Sequence, residues 1–511
     1  MKKTAIILGI SVLSGFSLLA QDAFDAVKMS SYDIKGSARY MSMGGAFVSL
    51  GGDATAIQDN PAALGVFRSS EIALSLNYDY TRSNSQWNGN GSFGILDNFT
   101  ANQTNIVLNI SPYGKTKGLV SHSFGFGYNR VKNFNRILSA ESKTGVNTSL
   151  TDNMSAYANG NNNPLIPEAF LEGNEPYNNE EIGWLSILGY DAGLMHYDTT
   201  RVSSNNPWVS TLSPGETVQP YQKLLERGYI DQYNFAWGGN INNRYYIGIG
   251  INLLDAEYSL SSVYGETFSA TRGGQFSLDN YLRTSGLGFN ANFGFIANPV
   301  NFLRIGASFQ TPTVWNFTDL SNGNLNNRHQ TPDWVQDYRL HTPLKVNAGA
   351  SFLFGKLGLV SLEYEYNNIR GTQLLSNIGD SQSYSLPNQD MREMFNDMHR
   401  IKLGAEFWVM KNLALRAGYV YQTSTTKDDA CRYMLINSTR TDTYYSIMGD
   451  AHYASAGIGY RNSFFFADLA YQYRVINESI YPYENLSGGT LNPILAQTER
   501  HSAVFSFGFK F

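Results

Sequence analysis

The feature that most constrains this chain is a period-two alternation of apolar and polar residues, repeated along nearly its whole length. Ile72, Leu74, Leu76, Tyr78 and Tyr80 share one face of a segment whose other face carries Ala73, Ser75, Asn77 and Asp79. Leu413, Leu415, Ala417, Tyr419 and Tyr421 oppose Arg416, Gly418 and Gln422; Ala503, Phe505, Phe507, Phe509 and Phe511 oppose Ser506, Gly508 and Lys510. Period two is the side-chain repeat of a β-strand. Segments of about ten such residues are the mark of strands that cross a membrane as part of a barrel. A Lys or Arg facing lipid near mid-bilayer costs roughly 2–4 kcal/mol, so the polar faces are expected to line the lumen.

About 14 such segments can be placed, an even number as single-chain bacterial barrels require. They fall near 71–81, 104–111, 121–132, 231–241, 245–257, 282–296 and 302–311, then near 344–354, 357–367, 399–408, 413–423, 452–461, 463–474 and 500–511. Short gaps at 111–118, 241–244, 297–301, 355–356, 409–412 and 461–463 alternate with gaps of about 20 residues or more, the pattern of short periplasmic turns and long external loops. The fold class expected is therefore an all-β transmembrane, 14-stranded antiparallel outer-membrane barrel.

Composition agrees. Charged residues make up 15% and aromatics 14%, with 48 Gly against 15 Pro. The mean hydropathy of -0.28 is natural for strands that are apolar on one face only. A net charge of -5 argues against nucleic acid as a partner. Lys2 and Lys3 followed by the apolar run 5–19 read as a signal peptide over 1–20, cleaved after Ala20. Cys431 is the single cysteine, so no intramolecular disulfide is expected and it reads as a loop thiol.

Residues 21–70 precede the first strand, the barrel is expected over 71–511, and the longest gap is an external loop over 134–230. The lead segment contains Gly44-Gly45-Ala46-Phe47-Val48, then Asp53-Ala54, then Asn60-Pro61-Ala62-Ala63-Leu64. Gly44-Gly45 permits positive φ or close backbone approach, and Asn60-Pro61 sets a turn. This segment closely resembles the N-terminal hatch of FadL-type long-chain fatty-acid and aromatic-hydrocarbon transporters, which carries Gly-Gly-Ala-x-Val, an acidic Asp-Ala patch and Asn-Pro-Ala-Gly-Leu. Here Ala63 stands for the usual Gly, and Gly52-Asp53 for an Asp pair. The resemblance implies a luminal plug with Gly44, Gly45, Asp53, Asn60, Pro61 and Ala62 in its motifs. It also implies ligand capture on external loops, binding beside the plug, and lateral release through an opening at a kinked third strand.

On that third strand Gly125 and Gly127 face inward and are candidates for the kink; room for the plug is the other reading of them. In the long loop, Trp184, Leu185, Ile187, Leu188, Leu194 and Met195 form an apolar cluster, read either as a landing groove or as the packing of the loop itself. The run from Tyr221 to Gly228 reads as a short helix closed by Gly. Alternation assigns Arg304, Lys345, Lys402 and Arg416 to the lumen, with Glu363, Glu365 and Glu406. Any carboxylate ligand would need a cation of this kind.

No catalytic motif is found: no H-E-x-x-H, no G-x-S-x-G and no phosphate-binding loop. The expectation is no enzyme, no cofactor and no metal. The expected role is passive uptake of a hydrophobic or amphipathic small molecule, most simply a long-chain fatty acid. The expected partners are that ligand, outer-membrane lipid and the barrel-assembly machinery, with the chain acting as a monomer. The alternatives are a receptor for another apolar ligand such as haem, a secretion-associated barrel, or an outer-membrane acyl hydrolase drawing on His399, His452 and His501.

Overall fold

The computed structural model describes residues 21–511 apart from 162, 163, 174, 180, 205, 271–273, 437, 487 and 489, so the signal peptide expected over 1–20 lies outside the described residues. The barrel strands are β1 (Glu71–Trp87), β2 (Asn90–Ile110), β3 (Leu119–Asn133, resumed at Arg136–Glu141), β4 (Val218–Ile241), β5 (Tyr245–Phe268), β6 (Gln275–Val300) and β7 (Leu303–Gln310, resumed at Val314–Leu325). They continue as β8 (Trp334–His341, then Lys345–Leu353), β9 (Gly358–Asn367, resumed at Gln373–Ser376), β10 (Met398–Met410), β11 (Leu413–Gln422), β12 (Tyr445–Arg461), β13 (Phe465–Tyr481) and β14 (Ile494–Lys510). Each pairs antiparallel with its neighbours, and β1 closes on β14 from Glu71↔Lys510 to Gln86↔Leu495, giving a closed 14-stranded barrel. Closure removes the unpaired edge that lipid could not satisfy.

Every expected strand is present, and the short turns lie where expected. The other end of the barrel differs. Asn88 and Gly89, both at positive φ, form a two-residue turn, so most of the gap between the first two expected strands is wall. Strand also covers most of the expected loops before 282 and after 311. The run from Tyr221 to Gly228 is not a helix: it belongs to β4, paired with β5 without a break from Val218↔Phe268 to Ile241↔Tyr245. The loop expected over 134–230 accordingly has strand at both of its ends. Inward side chains there alternate with outward ones, and continuous pairing outweighs a local helix preference.

The outward face carries exposed apolar residues such as Ile401, Leu403 and Phe407 on β10 and Phe505 and Phe509 on β14. At its loop-side edge, six strands repeat one arrangement three times. A Tyr-x-Tyr on the rising strand meets a carboxylate-x-His on the next. Tyr364 bonds His399 Nδ1 at 2.7 Å, Tyr419 bonds His452 Nδ1 at 2.9 Å, and Tyr471 bonds His501 Nδ1 at 2.6 Å. The second tyrosine of each set donates to Asp397, Asp450 or Glu499. Amphipathic rings with their polar atoms mutually bonded suit the membrane–water boundary. Changing Tyr364, Tyr419 and Tyr471 to Phe is expected to cost roughly 0.5–1.5 kcal/mol each. Thermal unfolding in detergent should show the three losses adding, because the sets stand on separate strand pairs and share no hydrogen-bond partner.

Inside, the wall has two chemistries. Across the middle of β3 to β7 it carries a neutral amide ladder: Asn129 donates to Asn234 at 2.8 Å, Asn234 to Asn252 at 2.6 Å, Asn252 to Asn290 at 2.7 Å and Asn290 to Thr313 at 2.8 Å. Across β9 to β13 it is charged: Lys402 lies 2.8 Å from both Glu363 and Glu365, Arg400 lies 2.9 Å from Glu365, and Arg416 lies 2.6 Å from both Glu406 and Asp468. The lead segment is buried between them. It runs through α1 (Ala23–Ser30), α2 (Ala38–Ser42) and two 3₁₀ turns, Ala54–Gln58 and Pro61–Val66. On the neutral side inward glycines clear its path; a Cβ at Gly238 would lie 2.7 Å from Leu64 Cβ. On the charged side Arg39 pairs with Glu406 at 2.9 Å, and Glu363 accepts from the Val48 amide at 2.8 Å.

Candidate functional site

A cavity of about 170 Å³ lies between α1, the loop-side half of the wall and the β9–β10 and β11–β12 loops. Its shape follows from how α1 is held. Asp22 caps the helix, accepting from the Asp25 amide at 3.0 Å. Both acids are then engaged from the β11–β12 loop, Asp22 by Arg432 and Asp25 by Arg440. At the other end Lys28 reaches Glu226 of β4 at 2.9 Å. Lys132 of β3 donates to the Lys28 and Ser31 carbonyls at 2.6 and 2.7 Å, placing a cation at the helix C-terminus where the dipole favours one. The helix is thereby fixed as one wall of the cavity, and Phe24 projects from it against Phe395 and Tyr445, with ring centroids 5.1 and 5.7 Å apart.

The lining is amphipathic. Phe134, Tyr444, Met448 and Ile476 continue the apolar surface that Phe24 and Phe395 begin. Charged groups interrupt it. Arg136 pairs with Glu226 and Glu478, and Arg500 pairs with Asp33 at 2.8 Å. Arg474 of β13 is different. Among the described residues no carboxylate lies within ion-pair distance of it; its guanidinium sits over the Tyr453 ring at 5.6 Å, and its buried Nε has no hydrogen-bond partner. Burial alone would raise the Asp33 carboxyl, but Arg474, Arg500 and Lys132 together hold it well below the usual carboxylate range.

The residues singled out in the sequence fall elsewhere. Gly44 and Gly45 both sit at positive φ, with Gly44 beside the inward face of β11 at Gly418. Asp53 caps its 3₁₀ turn, accepting from the Thr55 amide at 2.9 Å and the Ser37 hydroxyl at 2.8 Å. Asn60 caps the next, accepting from the Ala62 amide at 2.9 Å while donating to the Val48 carbonyl at 2.6 Å. Pro61 and Ala62 lie against Gly248. Arg304 donates to the Leu50 carbonyl at 2.7 Å, and Lys345 lies 3.2 Å from Asp59. With Lys402 and Arg416 in the pairs described above, all four expected luminal cations hold protein groups and none lines the cavity.

Gly125 and Gly127 are paired on both sides, Gly125 with Val107 and Ala236, Gly127 with Asn105 and Asn234, so the wall is closed there. A Cβ on Gly125 would lie 2.8 Å from Ile57 and 2.9 Å from Leu64 of the lead segment; one on Gly127 would meet the Asn105 amide. Among the described residues the loop cluster offers no open groove. Trp184, Leu185, Ile187 and Leu188 lie on the helix Trp184–Asp191 and are at most 2% exposed, with Leu194 and Met195 beside them, packed on α3 (Leu150–Ala158). Apolar residues of the loop bury one another because nothing else would cover them. Sequence reasoning missed Arg474. Its inward register is legible from Leu469, Tyr471 and Tyr473, but the cluster of charges around it depends on loops that no periodicity places.

Against solved structures, the fold is similar to that of a Pseudomonas aeruginosa FadL homologue, with a TM-score of 0.52 and 11% identity over 94% of this chain and 99% of that one. It is equally similar to the Pseudomonas putida toluene transporter TodX, with a TM-score of 0.52 and 12% identity over 94% and 99% of the two chains. No family profile and no curated protein matches the sequence. The chain is thus an outer-membrane barrel with the FadL/TodX fold.

Proposed function

We propose that this barrel passes hydrophobic or amphipathic small molecules across the outer membrane, with residues 21–70 as its luminal hatch. The observation that carries this reading is the amphipathic cavity between α1 and the wall, in a lumen otherwise filled by ion pairs and close backbone contacts. A filled lumen opposes free diffusion of solutes, while a cavity that sets apolar surface beside placed charged groups can hold and orient an amphipathic small ligand. The toluene-transporting barrel of the same fold supports the assignment. A cavity of about 150 Å³ accommodates benzene. A long-chain fatty acid therefore fits here only if α1 or the adjoining loops shift.

Release is assigned sideways, beside β3. On the lipid side Phe124, Phe126, Phe235, Trp237 and Ile249 surround a depression over β3, β4 and β5, across the wall from Leu64. Uptake of labelled toluene and labelled fatty acid by cells carrying the intact protein, compared with cells lacking it, tests the reading. Uptake of at least one is expected to depend on the protein; equal uptake of both with and without it would sink the proposal. Gly125→Leu with Gly127→Leu is expected to lower that uptake, and unchanged uptake would remove the exit from β3.

A further inference from the structure

We infer that the cavity beside α1 is a site for a small monoanion, an aromatic or short-chain carboxylate, with Arg474 as the group that binds its charge; this rests on the proposed reading of the cavity as the ligand site. Seven cations line the cavity. Four carboxylates line it with them, and two more, Asp442 and Glu478, stand behind it in ion pairs with Arg432, Arg440 and Arg136. By formal charge, seven against six leaves one cation over.

Geometry says which cation is left over. Lys28, Arg136, Arg432, Arg440 and Arg500 each hold a carboxylate, and Lys132 spends its ammonium on the Lys28 and Ser31 carbonyls and the Ser31 hydroxyl at 2.7 Å. Arg474 keeps an orphaned Nε; its guanidinium lies against Tyr453 and acts on Asp33 only at a distance, while Arg500 holds that carboxylate directly. A half-buried guanidinium with no carboxylate in ion-pair contact is incompletely compensated, and it presents N–H groups in the planar fork that a carboxylate matches. One carboxylate would neutralise the site and use the orphaned donor. A neutral hydrocarbon would leave both as they are, a dianion would overshoot, and a cation would be repelled. The remaining walls, Phe24, Phe134, Phe395 and Ile476, suit the apolar body of such a ligand. The volume of about 170 Å³ limits that body to roughly one aromatic ring, since about 150 Å³ holds benzene.

Calorimetric titration of the full-length protein in detergent with benzoate, toluene and palmitate tests this. Benzoate is expected to bind the intact protein, Arg474→Gln to weaken it roughly tenfold or more, and Arg474→Lys to recover part of that loss. Toluene binding should be the same in all three proteins, which separates loss of an ion pair from a collapsed cavity. Toluene binding equally to all three, with no benzoate binding, overturns the anion assignment but leaves the proposed transport role standing. Palmitate binding through Arg474 while benzoate fails overturns the size limit and with it this inference. Failure of all three to bind, together with protein-independent uptake, overturns the transport reading beneath it.

Discussion

Replacing Gly248 by leucine is expected to unseat the lead segment while leaving the barrel closed. Gly248 lies on β5 with its missing side chain directed at the Pro61-Ala62 peptide, so that even a Cβ would collide with backbone atoms. Overpacking a core usually costs about 1–3 kcal/mol because side chains shift to absorb it. Here the obstacle is the main chain of a capped turn, whose Asn60 side chain is also bonded to Val48, and it has no rotamer to change. Eviction of the turn is the cheaper response. The wall itself depends on backbone pairing of Gly248 with Gly238 and Gly294, which a side chain does not remove. The expected result is a folded barrel that leaks: small hydrophilic solutes should enter proteoliposomes made with Gly248→Leu faster than those made with the parent. Identical solute entry, with the same thermal unfolding, would mean that the turn does not block the lumen.

The same contrast between wall and filling explains what could be read from the sequence. Strands such as β1, β11 and β14 were legible because one face meets hydrocarbon, where the cost of a polar residue enforces strict alternation. Above the bilayer that constraint lapses. Asn90–Phe99, Val218–Ile230 and Val314–Leu325 are strand because they pair with neighbours, and their outward faces mix polar residues with apolar ones. Leu224, Leu225 and a following Gly228 then imitate a helix and its cap, whereas Asn88-Gly89 was a hairpin signal open to recognition. The lead segment was visible through Gly44-Gly45 and Asn60-Pro61, since those motifs encode backbone conformation locally. Its partners were not, because Arg39 with Glu406 and Asp25 with Arg440 are joined by closure of the whole ring. The four luminal cations illustrate this limit: alternation gives the face on which a charge lies, while its role depends on what the filling brings to it.

Replacing Lys402 by methionine is expected to be among the most destabilising single changes in the chain. The Lys402 side chain is 1% exposed and lies 2.8 Å from both Glu363 and Glu365. Methionine fills similar space, so the loss is electrostatic and not a cavity. Glu365 keeps Arg400 at 2.9 Å, but Glu363 is left with the Val48 amide as its hydrogen-bond donor. Removing one partner of a buried pair typically costs about 3–5 kcal/mol, because the remaining charge stays out of water. Removing both is far milder, so Lys402→Met combined with Glu363→Gln should recover much of the loss, and a double-mutant cycle in thermal unfolding measures the coupling. If the carboxylate were instead well solvated, both variants would unfold within about 0.5 kcal/mol of the parent, as surface substitutions do. Because Glu363 also holds the Val48 amide, the double variant carries a second consequence. It should restore the barrel while weakening the seat of the lead segment on its charged side, so that leakage rises even where stability returns. Stability and leakage recovering together would show that this pair braces the wall alone.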